Sequence, residues 1–288
     1  MFAYRWVYYF LLPLVIYIFD ACKFAYAETI PVGDAEQRIQ INDVSFQIFT
    51  YKPSCPVKEI LVVFHGVNRN ADEYRNNARS IADTHCMIIV APVFEKSIFP
   101  KSRYQFGGVF RQGKKLPSSV WSVNYVDLIV EWVRKEENSN LPFSLIGHSA
   151  GGQFLSRVAA FTDIKARNII IANPSTYVWP ALTDYAPFGL GKLYPKSQEE
   201  KILARYLKAP VIIVLGGKDT GSSGRDDSLK AIRQGQTRYE RGRAVFSAAQ
   251  KISQEKKYIL NWKLITLEGV GHSSKMVFQS PEVVNALR

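Results

Sequence analysis

The chain has 288 residues, 47% of them apolar and 22% charged, with a formal net charge of +12. That composition excludes a disordered tail, and the lack of a Gly-X-Y or heptad period excludes collagen and a coiled coil. The length suits one large core, because α/β folds of about 250 residues often form a single domain. In chain order, residues 1–27 come first and read as a signal peptide. Arg5 supplies a positive start, Trp6 to Phe19 is an uncharged apolar run broken by Pro13, and Ala25-Tyr26-Ala27 is a small-x-small cleavage pattern. The run is shorter than the ~20 residues of a comfortable membrane span. We therefore expect cleavage after Ala27 and a secreted or periplasmic protein with no stable membrane span, an uncleaved anchor being the alternative. Cys22 leaves with the leader, so Cys55 and Cys86 remain for an oxidising compartment. Each precedes an apolar run, and if those runs are neighbouring parallel strands a disulfide between them is expected; two buried free thiols are the alternative.

Ile39–Ile41 and the alternating Val44–Tyr51, separated by Asn42-Asp43, predict an antiparallel hairpin at the start of the fold. Short continuous apolar runs follow at Ile60–Phe64, Met87–Val90, Phe143–Ile146, Asn168–Ile171 and Val211–Leu215, with an alternating run at Trp262–Leu267. Runs of this kind are strands buried on both faces, hence a mostly parallel sheet of about eight strands. Helical stretches fall between them at Asp72–Thr84, Val120–Glu137, Ala150–Phe161 and Thr237–Lys257. The expected class is α/β, a mostly parallel twisted sheet with helices on both faces, forming a single domain over residues 28–288. Two long connections, 92–119 and 173–209, are rich in aromatics and expected to lie over the ligand crevice. From them Tyr104, Tyr177 and Trp179 are candidate substrate-binding residues.

The chemistry concentrates at Gly147-His148-Ser149-Ala150-Gly151, a G-x-S-x-G pattern with an apolar strand before it and a helix after it. A sharp strand-to-helix turn puts Ser149 in a strained conformation with small neighbours, and the helix N-terminus favours developing negative charge. Serine needs a base. Of the four histidines, His148 sits inside the turn, His65 ends a strand, and His85 precedes one at the wrong edge. His272 follows the last strand at the correct edge and is the expected general base. Asp219, directly after the Val211–Leu215 strand, is the expected carboxylate that orients it, with Asp226, Asp227 and Asp184 as alternatives. His65-Gly66-Val67-Asn68 turns beside the serine, so the backbone N–H groups of Val67 and Ala150 are assigned to the oxyanion hole. Activity is expected to fall as pH drops through about 6.5, where histidine gains its proton.

These features together, with Phe64–Tyr74 (FHGVNRNADEY) and Tyr104–Gly107 (YQFG), resemble the α/β-hydrolase superfamily and within it are most similar to exported polyhydroxyalkanoate-depolymerase-like esterases. The resemblance implies an α/β-hydrolase fold and a serine esterase that cleaves a carboxylic ester, small or polymeric, through an acyl-enzyme, with an amide or poly-amino-acid hydrolase and an inactive binding module as the other readings. The chain departs from the depolymerase pattern in the segment 234–243 and in showing no added polymer-binding domain. Arg225, Arg233, Arg238, Arg241 and Arg243 cluster there, either as a solvated helix face or as an anion-binding surface in which Arg225 meets the substrate. The positive balance alone selects no partner, and no nucleic-acid motif accompanies it. No phosphate-loop, dinucleotide or metal-ligand spacing is present, so no cofactor and no metal are expected.

Overall fold

The computed structural model describes residue 2 and residues 29–287. The expected leader, its cleavage site and Cys22 lie outside the described residues. Hairpin strands β1 (Gly33–Ile41) and β2 (Val44–Lys52) turn at Asn42, whose positive φ of 51° suits an asparagine. Next come β3 (Glu59–Phe64), the short helices α1 (Ala71–Asn77) and α2 (Arg79–His85), and β4 (Met87–Pro92). The sequence predicts one helix here; the chain breaks at Ala78 into two. A two-residue ribbon, β5 (Phe110–Arg111) with β6 (Lys114–Lys115), precedes α3 (Tyr125–Glu136). The motif region is β7 (Phe143–His148) and α4 (Ala150–Phe161), followed by β8 (Ile169–Ala172), α5 (Lys196–Lys208) and β9 (Val211–Gly216). The chain ends with α6 (Leu229–Ile232), α7 (Arg238–Lys256), β10 (Lys263–Leu267), α8 (Ser274–Phe278) and α9 (Pro281–Asn285).

Among the described residues, eight strands form one sheet in the order β1-β2-β4-β3-β7-β8-β9-β10. From β4 to β10 all neighbours are parallel, while β1–β2 and β2–β4 are antiparallel. Strands β3, β4, β7, β8 and β9 are buried along their whole length, which is why they read as continuous apolar runs. The half-exposed β10 lies at the edge, as its alternation implies. The larger core packs Phe46, Phe64, Phe94 and Phe154 on one face, and the other face buries Ile81, Ile146 and Phe278. Cys55 and Cys86 are joined in a disulfide with Cα atoms 5.8 Å apart, at the common entry of parallel β3 and β4. No helix among the described residues is long and apolar enough to cross a membrane.

The aromatic loop residues do less at the surface than the sequence suggests. Phe94, Phe99 and Tyr104 are fully buried, their rings within 4.9 Å of one another in two pairs around Phe94. The connection 173–209 also contains α5, whose Ile202, Leu203, Tyr206 and Leu207 face the core.

Candidate active site

Ser149 stands between β7 and α4 with φ 57° and ψ −115°, a conformation that costs a non-glycine residue roughly 1–3 kcal/mol. Its N–H donates to the Ala172 carbonyl on β8 at 2.9 Å, and its carbonyl accepts from the Gln153 N–H at 3.0 Å. The neighbouring glycines let the chain approach this closely. A Cβ on Gly147 would lie 2.6 Å from the Gly151 carbonyl carbon, and one on Gly151 would collide with the Phe64 carbonyl.

The ends of β9 and β10 bring up the other two groups. The two strands run in parallel register with Gly216 beside Leu267, so the loops that follow leave the sheet together. Gly217 N–H donates to the Leu267 carbonyl and Lys218 N–H to the Val270 carbonyl, both at 2.9 Å. Asn173, at φ 45° just after β8, accepts from the Gly216 N–H at 2.8 Å and reaches the Gly271 carbonyl at 3.4 Å. Between them these bonds set His272 Nε2 3.0 Å from Ser149 Oγ and His272 Nδ1 2.7 Å from Asp219 Oδ2. An ionised carboxylate only accepts, which puts the imidazole proton on Nδ1 and leaves Nε2 to accept from the serine hydroxyl. Asp219 is 2% exposed and His272 30%, so the carboxylate is sheltered while the imidazole reaches solvent.

His148 does not compete for the serine. Its ring lies 4.5 Å from that of His272 and its Nδ1 3.2 Å from the Tyr74 hydroxyl. Burial, with the nearby His272 and Arg238, pushes its pKa well below the usual imidazole range, so it stays neutral. His65 has a different task. Its Nε2 accepts from the Phe94 N–H at 3.0 Å, so its Nδ1 donates to the Gly66 carbonyl at 2.8 Å. Burial pushes its pKa down to about 3. Because the Gly66 carbonyl is held toward His65, the Val67 N–H of the same peptide points the opposite way. A Cβ on Gly66 would come within 4.0 Å of Ser149 Cβ, so this turn passes beside the serine. Ala150 is the first residue of α4, where an N–H has no acceptor within its own helix. A cleft of about 330 Å³ opens here, lined by Val67, Asn68, Glu73, Tyr74, His272 and Lys275 among others.

The expected substrate residues are not gathered at this cleft. Tyr104 is fully buried, stacked on Phe94 and Phe154, and donates its hydroxyl to the His65 carbonyl at 2.8 Å. Tyr177 is 1% exposed, with its backbone N–H and carbonyl both held by Gln234. Neither offers a surface to a ligand; an aromatic in a long loop is as easily core as wall. Trp179 lines a separate cavity of about 510 Å³ with Tyr185, Phe188, Lys230 and Arg233. Arg225 pairs with Asp227 at 2.7 Å, and Asp226 pairs with Lys101 at 2.9 Å. The arginine cluster divides: Arg233 and Arg243 are exposed, as a solvated face requires, whereas Arg238 and Arg241 are buried. Arg241 donates to the carbonyls of Ser175 and Asp226 at 2.6 and 2.8 Å, and Arg238 donates to Asp219 Oδ1 at 3.2 Å. Sequence reasoning placed Arg238 in the arginine cluster without pairing it with Asp219, and passed over Asn173. The one sign of Asn173 is a left-handed-tolerant residue at the end of an apolar strand; nothing separates Arg238 from the other arginines around it.

A hydroxyl, an imidazole and a carboxylate linked in this way can move a proton from the hydroxyl while it attacks a carbonyl. The sequence matches no protein-family model and no curated protein. The structure is similar to that of LpqC, a poly(3-hydroxybutyrate) depolymerase from Bordetella parapertussis, with 30% identity over 86% of this chain and 88% of that one and a TM-score of 0.80. It is also similar to poly(aspartic acid) hydrolase-1 from Sphingomonas sp. KT-1, with 28% identity over 87% and 97% of the two chains and a TM-score of 0.81. An arylesterase shares the fold at 13% identity, over 92% of this chain and 89% of that one, with a TM-score of 0.52.

Proposed function

The chain belongs to the α/β-hydrolase superfamily of serine ester hydrolases, and from that premise we propose that it cleaves a carboxylic ester through an acyl-enzyme on Ser149. Ser149 Oγ attacks the acyl carbon while His272 Nε2 takes its proton. Asp219 accepts from His272 Nδ1, orients the ring and stabilises the imidazolium that forms. The N–H groups of Val67 and Ala150 receive the negative charge on the carbonyl oxygen. The tetrahedral intermediate then collapses, the C–O bond breaks, and His272 returns the proton to the departing alcohol. A water molecule, deprotonated by His272, attacks the acyl-enzyme and releases the acid and free Ser149. The observation that carries this reading is one imidazole bonded to both Ser149 and Asp219, beside a serine held at positive φ.

The substrate is proposed to be an ester that lies across an open rim, polymeric or small, since His272 keeps solvent access. The similarity to a poly(aspartic acid) hydrolase supports a second reading, an amide bond in an anionic polymer split by the same groups. We also propose that the protein is exported, a reading supported by the apolar leader pattern and by the Cys55–Cys86 disulfide. Two assays test the catalytic reading. A fluorophosphonate should label Ser149 in the native protein and leave Ser149→Ala unlabelled; a folded native protein that stays unlabelled points to a binding module. Matched oligomers of 3-hydroxybutyrate and of aspartate then separate ester from amide cleavage.

A further inference from the structure

The carboxylate of Asp219 has two partners, and only one belongs to the proposed mechanism. His272 takes Oδ2, while Oδ1 accepts from Arg238 Nη1 at 3.2 Å. Both side chains of this ion pair are 2% exposed. Arg238 is the first residue of α7, and that end of the helix is pinned by a capping box. Thr237 Oγ1 accepts from the Glu240 N–H at 3.1 Å, and Glu240 accepts from the Thr237 N–H at 3.3 Å. The guanidinium is fixed further by the carbonyls of Ser223 at 2.5 Å and Gly221 at 3.4 Å, on the loop after Asp219. A buried charge is costly unless a partner charge and hydrogen bonds offset its desolvation, and here Asp219 and the two carbonyls supply them.

We propose that Arg238 is a positioning residue of the triad: it holds the Asp219 carboxylate in place for His272 and sets the pH at which the triad takes up a proton. This rests on the reading of Ser149, His272 and Asp219 given above. With Asp219 ionised, Arg238 charged and His272 neutral, the three side chains together are neutral. Protonating His272 then leaves a net positive charge beside the buried Asp219–Arg238 pair. Without the arginine the same step takes the group from −1 to neutral and is easier. The other groups nearby do not cancel this difference. His148, against His272, is kept neutral by burial. Tyr177, near Asp219, has its pKa raised well above the ordinary value by burial, so it is neutral too. Arg225 and Asp227, which face Arg238, pair at 2.7 Å, Arg241 lies 3.8 Å from the same Asp227, and Glu73 and Lys275 line the cleft with His272; all of these are unchanged when Arg238 is replaced.

The experiment is the pH profile of kcat/KM on an ester substrate for Arg238→Gln, Arg238→Met and Arg238→Lys, with folding checked by circular dichroism. In the neutral variants the acid limb should move to higher pH by about one unit. Their kcat should fall about tenfold, well short of the ~10⁴ lost when the triad carboxylate of a serine protease is replaced. Arg238→Lys should keep the native limb and recover most of kcat. If the neutral variants do not fold because Asp219 is left buried and unpaired, Asp219→Asn is compared with Asp219→Asn/Arg238→Gln, where the double variant should show the higher limb. A folded neutral variant with lower kcat and an unmoved limb reduces Arg238 to a structural strut. Failure of the triad reading looks different: the native protein then resists fluorophosphonate, and Arg238 loses its proposed role with it.

Discussion

Ser149 and Gly151 sit two residues apart and use the backbone in opposite ways. Ser149 carries a side chain at a φ that disfavours one, whereas Gly151 has none because the Phe64 carbonyl fills the space. Gly151→Ala should therefore push α4 away from β3, lower stability by about 1–3 kcal/mol in urea unfolding and reduce turnover with it. His272→Gln and Ser149→Ala should each reduce kcat by about 10⁴-fold or more with the fold intact, measured on the same ester. The three residues the structure brings together were legible because each follows an apolar strand that ends at the same rim. Arg238 and Asn173 were not, since neither carries a motif of its own: Arg238 is one of several arginines in a charged stretch, and Asn173 is a lone amide after a strand whose partners, the Gly216 N–H and the Gly271 carbonyl, are backbone groups. An arginine in a charged stretch reads alike whether it meets water or Asp219. Tyr104 failed in the reverse sense, because the ring that looked like a wall packs in the core against both Phe94 and Phe154.

At the level of elements, strands were legible wherever burial on both faces wrote a continuous apolar run, and α4 and α7 wherever a capping signal or glycine turn preceded them. Helix α5 was hidden inside a connection whose first half has no regular structure, and it buries only a narrow stripe. The Cys55–Cys86 link closes the β3-α1-α2 segment just ahead of β4, and that segment also carries the Gly66–Val67 turn. Its loop spans 31 residues, so Cys55→Ser/Cys86→Ser should lose roughly 3 kcal/mol in urea unfolding. The loss should be seen only in non-reducing buffer, because dithiothreitol should bring the native protein to the same midpoint.

On the scale of the whole molecule, the alternation of strands and helices marked a parallel sheet, but the order that places β4 between β2 and β3 depends on pairing that periodicity does not encode. Two buried histidines give the folded state a predictable response to acid. Burial holds His65 down to about 3, against 6.5 for a free imidazole. Above pH 6.5 neither the folded nor the unfolded chain binds this proton. Below it the unfolded chain takes the proton up first, and stability should fall by up to about 1.4 kcal/mol per pH unit until pH nears 3. His148 is shifted in the same direction and adds to the slope. Unfolding free energies between pH 7 and 5 should drop more steeply for the native protein than for His148→Asn; equal slopes would mean that this ring is protonated in the fold.

The entry of the chain has a practical consequence. The Ile30 N–H donates to Glu137, at the C-terminal end of α3 where the chain turns back toward the start of β7, and α9 touches His85 just ahead of β4. Ser149, Asp219 and His272 all follow the far ends of their strands. An attachment before residue 29 or after α9 therefore meets the side of the molecule opposite the reacting groups. Whether tethered to a bead, a tag or a lipid surface by either terminus, the enzyme would turn its working rim outward, toward whatever substrate lies in front of it.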